Sequence, residues 1–270
     1  LRIDSRKKDV RKVYQQNGNL FRFAEYFKDT QALLADTPDT ALIQVLRHLE
    51  PIVVVDESHN AESKLSTEML NNLNPSFVLD LTATPRKNSN IISYVDAREL
   101  KKEHMVKLPV VVYNRTTRQS VIQDAIQLRG SIEQEAIAAE AAGGKYIRPI
   151  VLFQAQPRTG ENSDTFDKIK AMLVSMGIPE NQIAVKTSDV DDLKGQNLMS
   201  RDCEIRYIIT VNALKEGWDC PFAYILASLA NKTSQVDVEQ ILGRILRLPY
   251  TVEHRAKALN MSYVLTSSND

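Results

Sequence analysis

Cysteine is scarce: Cys203 and Cys220 are the only two in 270 residues, and their separation fits no metal-ligand spacing. That excludes a disulfide-stapled scaffold and a cysteine-bound metal, and it predicts free thiols in a reducing, cytoplasmic setting. No apolar run reaches the length of a membrane-spanning helix, so no membrane partner is expected. An excess of either charge is also lacking, because Lys plus Arg and Asp plus Glu both number 34. A neutral total gives no pointer to nucleic acid, yet it is compatible with a local basic groove. Repeats and low-complexity segments are missing, as is a signal peptide. What remains is an ordinary globular composition, with 25% charged residues, in a chain long enough for one large domain or two of usual size.

The hydrophobic patterning reads as α/β. Leu42, Val45, Leu46 and Leu49 lie at helical spacing before Pro51. Ile52–Val55 reads as a buried strand, 61–73 as a helix and Phe77–Leu81 as a second strand. Strand–helix–strand order implies a parallel sheet. A short strand at 109–113 precedes a long amphipathic helix at 120–142, with Ile122, Ile126, Ile132 and Ala136 near one stripe, stopped by Gly143-Gly144. A second α/β pattern follows, with strands at 149–154, 182–186, 205–211, 223–229 and 261–265. Its helices are expected at 166–176, capped by Asp164, and at 234–247. The expected architecture is two tandem parallel α/β domains, the first incomplete at its front. Their expected limits are 1–115 and 146–270, joined by a connecting helix at 116–145.

Residues 53–60, Val-Val-Val-Asp-Glu-Ser-His-Asn, carry the strongest chemical signal. A β-branched run ends in two carboxylates, at the point where an open α/β sheet binds its ligands. Asp56 and Glu57 there suit Mg²⁺, a hard cation that keeps waters while it binds phosphates. The plainer reading is a solvated turn. Thr82-Ala83-Thr84-Pro85 closes the next strand, and its hydroxyls can pair with those carboxylates. In Glu216-Gly217-Trp218-Asp219, the glycine permits close backbone approach and Asp219 can meet a sugar hydroxyl or order the loop. On the helix at 234–247, Val238, Ile241, Leu242 and Ile245 form a core face. Gln240, Arg244 and Arg247 form a separate stripe, which Gly243 keeps open. Planar guanidinium forks suit phosphate oxygens; an ordinary exposed charged face is the alternative.

The order of these four stretches resembles the ordered motif set of superfamily 2 helicases and translocases. Asp56, Glu57 and His59 match the DExH box (motif II), and Thr82 and Thr84 match motif III. Gly217 and Asp219 match motif V, while Gln240, Gly243, Arg244 and Arg247 match motif VI. Leu-Asn-Pro-Ser-Phe at 73–77, Asp-Ala-Ile-Gln-Leu-Arg at 124–129 and Leu-Lys-Glu-Gly-Trp-Asp-Cys-Pro-Phe at 214–222 look like the Res (restriction) subunit of type III restriction-modification enzymes.

That resemblance implies two RecA-like domains with ATP between them. Asp56 would hold Mg²⁺ and Glu57 would polarise the attacking water. Arg244 and Arg247 would reach the γ-phosphate, and His59 and Gln240 would link the domains. The implied activity is an ATP-dependent motor that moves on DNA before cleavage, through phosphate contacts, beside a modification methyltransferase subunit. A DNA-repair or RNA helicase of the same superfamily, and a non-catalytic RecA-like scaffold, are the alternatives. One element of the pattern is missing. The phosphate-binding loop G-x-x-x-x-G-K-[ST] has no match. At Gly144-Lys145, Ala139 replaces the first glycine and Tyr146 the final hydroxyl residue. The expectation is that this loop and a nuclease core lie outside the chain, and that the chain alone is inactive in ATP turnover. Asp192-Leu193-Lys194 reads as a loop rather than as part of a nuclease.

Overall fold

The computed structural model describes residues 33–35, 37–38, 41–56, 58, 64–82, 85, 89–156, 165–211, 218–229, 242–243 and 245–267. The chain divides into two compact units, Leu1–Tyr94 and Val95–Asp270.

In the first unit, α1 (Leu42–His48) leads into β1 (Ile52–Asp56), and α2 (Lys64–Asn72) into β2 (Phe77–Leu81). The two strands pair in parallel, with Ile52 opposite Phe77 and Asp56 opposite Leu81. A small core of Ala41, Ile43 and Leu73 lies beneath them. Gln44, buried at 1% exposure, donates through Nε2 to the carbonyls of Leu34 (3.2 Å) and Thr37 (3.3 Å), and its Oε1 accepts from the Leu34 amide. A buried amide must find such partners, and here they pin the preceding turn onto α1.

The second unit opens with α3 (Ala97–Lys102), then β3 (Val110–Arg115), the 24-residue α4 (Arg118–Ala141) and β4 (Ile150–Gln154). It continues through α5 (Phe166–Ser175), β5 (Ile183–Lys186), β6 (Tyr207–Thr210), β7 (Ala223–Ser228) and β8 (Ser262–Ser267). The strands form one sheet in the order β3-β8-β7-β4-β6-β5, with every neighbouring pair parallel. The expected fold class, α/β units with parallel sheets in tandem, is therefore what the chain adopts. β4 and β6 are buried at every position, as parallel strands covered on both faces must be.

α4 shows why its sequence ends where it does. Thr117 Oγ1 accepts from the Ser120 amide at 3.1 Å, a side-chain cap for one orphan donor. Gly143 takes φ +88° just beyond the last turn, a conformation that costs glycine little. Val121, Ile122, Ala125, Ile132 and Ala136 are buried against the sheet.

Three expectations need correction. The compact units divide between Tyr94 and Val95, not at 115, and the helix expected to connect domains at 116–145 packs, as α4, on the sheet in which β3 pairs with β8. A strand joins whichever sheet offers it a ladder, and Val110–Arg115 finds its hydrogen bonds in the second unit. The helix at 166 is preceded by Thr165 as N-cap, with no side-chain cap bond; Asp164 lies outside the described residues. α3 had not been anticipated, although Asp96 and Glu99 form a complete capping box around it.

Candidate functional site

In the first unit, the parallel pairing brings Asp56 and Thr82 to the same edge. Asp56 ends β1 opposite Leu81, and Thr82 follows Leu81 directly. Asp56 is exposed there, so its oxygens are open to water and to a bound group. Glu57, His59 and Thr84 lie outside the described residues. Ser58, two positions beyond the strand, is buried at 3% exposure. Among the described residues no group of three or more His, Cys, Asp or Glu is placed to cage a metal. An accessible carboxylate at a strand end fits Mg²⁺ held mainly by water and substrate phosphates.

In the second unit, Asp219 and Arg247 meet. Arg247 Nη1 donates to Asp219 Oδ2 at 2.8 Å, with the two side chains 62% and 47% exposed. The stretches expected to match motifs V and VI thus touch at one point. Gly217, Gln240 and Arg244 lie outside the described residues. Of the expected core face of that helix, Ile245 is fully buried and Leu242 packs on the core. A Cβ built on Gly243 would meet nothing within 4 Å among the described residues. Trp218, next to Asp219, packs against the core.

This pair sits at the amino edge of the sheet, not at the carboxyl edge where the sequence rule would look. Asp219 precedes β7, which starts at Ala223, and Arg247 forms an antiparallel bridge with Val106, ahead of β3. In a parallel sheet the chain entering a strand must return to the amino edge, and Arg247 lies on that return, two residues beyond the helical Ile245. An exposed pair of this kind is worth at most ~1 kcal/mol. Arg247 can therefore exchange a carboxylate for phosphate oxygens at little cost.

Lys107 was missed by the sequence reading. It is fully buried, and its Nζ donates to the carbonyls of Pro221 (2.7 Å) and Ala223 (2.8 Å) and stands 4.1 Å from the Tyr224 ring centroid. Burial pushes its ammonium down to about 7, against smaller opposing effects of Cys220 and Asp219. Burial likewise pushes the Cys220 thiol up to about 11. Both cysteines are free and buried. The loop around Asp192 is structural: its carboxylate accepts from the Val185 amide at 2.8 Å.

The carboxyl edge carries a second polar group that the sequence reading did not single out. Ser228 Oγ donates to Gln154 Oε1 at 3.0 Å, and Gln156 Nε2 to the Leu229 carbonyl at 2.8 Å. Thr210 Oγ1, in register with Gln154, is buried and has no hydrogen-bond partner among the described residues. The available signal was a polar residue closing each apolar strand.

Residues 4–87 match the family described as "Type III restriction enzyme, res subunit". The matched segment includes the Asp56-Glu57 stretch and Thr82-Ala83-Thr84. No curated protein matches the chain in sequence. Among solved structures, the chain is similar to the DNA-bound Type ISP restriction-modification enzyme LlaBIII, at 16% identity and a TM-score of 0.45, over 80% of this chain and 18% of that one. A variant of S. cerevisiae Dbp5 bound to Gle1 and IP6 is 15% identical, with a TM-score of 0.47, over 85% and 56%. A Dbp5 complex with RNA and ADP BeF3 is 14% identical, with a TM-score of 0.45, over 87% and 58%. The chain thus spans between 18% and 58% of the length of these proteins.

Proposed function

We propose that this chain is part of an ATP-dependent DNA translocase of the restriction type, the motor that moves on DNA before cleavage. The observation that carries the proposal is the match of residues 4–87 to the res subunit, across the strand that ends in Asp56-Glu57. The joined Asp219–Arg247 pair supports it, since it supplies an exposed guanidinium that anionic oxygens can claim.

In this reading Asp56, with Glu57 beside it, would hold Mg²⁺, which would supply positive charge against the nucleotide's phosphates. Glu57 accepts a hydrogen bond from the attacking water and orients it. Arg244 and Arg247 donate to γ-phosphate oxygens as charge develops there, while Asp219 holds Arg247 in place before nucleotide arrives. Gln240 and Gly217 line the nucleotide, and His59, Thr82 and Thr84 couple hydrolysis to movement. DNA is met mainly at its phosphates, so binding falls as salt rises. A modification methyltransferase subunit reads the sequence.

The test is DNA-stimulated ATP turnover by the product of the whole gene, with Glu57→Gln beside the wild type. Turnover should fall at least ~100-fold, the scale of a lost water-positioning group. Unchanged turnover in Glu57→Gln refutes the assigned role. The 270 residues themselves hold no G-x-x-x-x-G-K-[ST] pattern, so turnover by this chain alone is expected near background.

A further inference from the structure

Three backbone segments meet around one buried side chain at the amino edge of the second unit's sheet. The first, 105–107, lies alongside 246–248. The Lys107 amide donates to the Leu246 carbonyl at 2.5 Å, the Leu248 amide to the Met105 carbonyl at 2.9 Å, and Val106 bridges Arg247. Arg247 is thus flanked by a hydrogen-bonded residue on each side. The third segment, 219–223, carries Asp219 and is held from Lys107 Nζ through the carbonyls of Pro221 and Ala223. Ser262 Oγ, at the start of β8, lies 3.3 Å from the Lys107 carbonyl and 3.2 Å from that of Ile245.

An ammonium has three donors, and here each has a destination: two carbonyls and the face of Tyr224. Among the described residues no carboxylate accepts from it. Burying a Lys without an ion-pair partner is costly. A hydrophobic side chain would fill the same space without that cost but would hold neither carbonyl. The energy is spent on fixing the Pro221–Ala223 backbone.

We infer that Lys107 is a positioning residue: by tying the backbone that carries Asp219 to the backbone that carries Arg247, it sets the distance and direction of that pair. The inference deepens the nucleotide reading and depends on it for its purpose. Its physical content, three segments that open as one, stands apart from any activity. Asp219, Cys220 and Tyr224 face Lys107 from the 219–224 side, and His254 feels its charge, which helps burial keep that imidazole neutral.

The experiment is native-state hydrogen exchange on the 270-residue chain, read at three amides that report one segment each: Lys107, Leu248 and Ala223, the last donating to the Cys220 carbonyl at 2.9 Å. In the wild type the three should exchange through one shared opening, with protection equal within about threefold. In Lys107→Met all three should lose protection by a common factor of at least ~10, while amides of β4 and β6 keep theirs. Unrelated protection of the three amides in the wild type overturns the inference, even where the variant fails to fold. So does a uniform loss across the unit, or no loss, in Lys107→Met. ATP turnover of the whole-gene product is the separate arm. The expected exchange pattern without any nucleotide turnover leaves the positioning role standing and removes the nucleotide reading. The expected pattern with turnover unaltered in Lys107→Met overturns the role.

Discussion

β1 and β4 share one pattern, four apolar residues closed by a polar one (Ile-Val-Val-Val-Asp and Ile-Val-Leu-Phe-Gln), yet they live in different surroundings. Every residue of β4 is buried, between β6 and β7 in a six-stranded sheet with α4 packed on it. In β1, Ile52 is 71% exposed and Val54 57%, and across the register Phe77 is 52% exposed. Burial is set by what lies on either side of a strand and over its faces, not by the apolar run itself. The same contrast separates the two candidate sites. The first unit presents a carboxylate at the end of a thinly covered strand. The second presents an ion pair whose backbone is tied to a fully packed core.

The largest effect that would sharpen this contrast is a pair of truncations. Phe153 in β4 is fully buried and stacks on Tyr207 with ring centroids 6.4 Å apart. Phe153→Ala should cost about 3–5 kcal/mol, the usual price of emptying a core aromatic site. Ile52→Ala should cost under ~1 kcal/mol, since little of its surface is withdrawn from water. Urea unfolding followed by circular dichroism reads both. Equal losses would mean that Ile52 is covered in solution, and the contrast between the strands would fail.

The next effect is a pH dependence confined to the second unit. Lys107 titrates near 7 when folded and near its ordinary 10.5 when unfolded. Between those values the unfolded chain holds a proton that the folded chain has released, so stability rises with pH through this window. The contribution is complete above 10.5 and is lost as pH falls through 7. Cys220 acts oppositely above 9, because its thiol stays protonated to about 11 in the fold while the unfolded thiol ionises. The net gain is therefore largest between pH 7 and 9, roughly 2–3 kcal/mol at ~1.4 kcal/mol per pH unit. Lys107→Met should flatten that rise. A wild-type unfolding midpoint that is constant from pH 7 to 9 would show that the ammonium is not desolvated.

The fold was legible in sequence wherever a period ran unbroken. Phe77–Leu81 and the apolar face of α4 follow from spacing alone, and Gly143 marks the stop at its positive φ. The assignment of Val110–Arg115 to a sheet was not legible, because a β-branched run says that a strand exists and nothing about its partner. At the candidate site, motif order placed Asp56, Asp219 and Arg247, and the structure adds that the latter two touch. Lys107 could not be found that way. A lysine reads as a surface residue, and only the meeting of segments more than a hundred positions apart makes it a buried tie. Arg148 is a similar case, fully buried with its guanidinium donating to the carbonyls of Leu198, Ser200 and Ile205.

The smallest stability effect should accompany a large functional one. Asp219→Asn and Arg247→Gln each remove the exposed pair, and the unfolding free energy should move by no more than ~0.5 kcal/mol after screening by solvent and salt. The backbone tie does not run through these side chains, so exchange at Lys107, Leu248 and Ala223 should be preserved in both variants. ATP turnover by the whole-gene product should nevertheless fall with Arg247→Gln, by roughly 10³–10⁵ if its guanidinium meets the γ-phosphate. Asp219→Asn should fall less, because the arginine keeps its charge and loses only its rest position. A destabilisation of several kcal/mol in either variant would make the pair a structural element. The second unit would then have no spare cation at its amino edge, and its difference from the exposed carboxylate of the first unit would be one of packing alone.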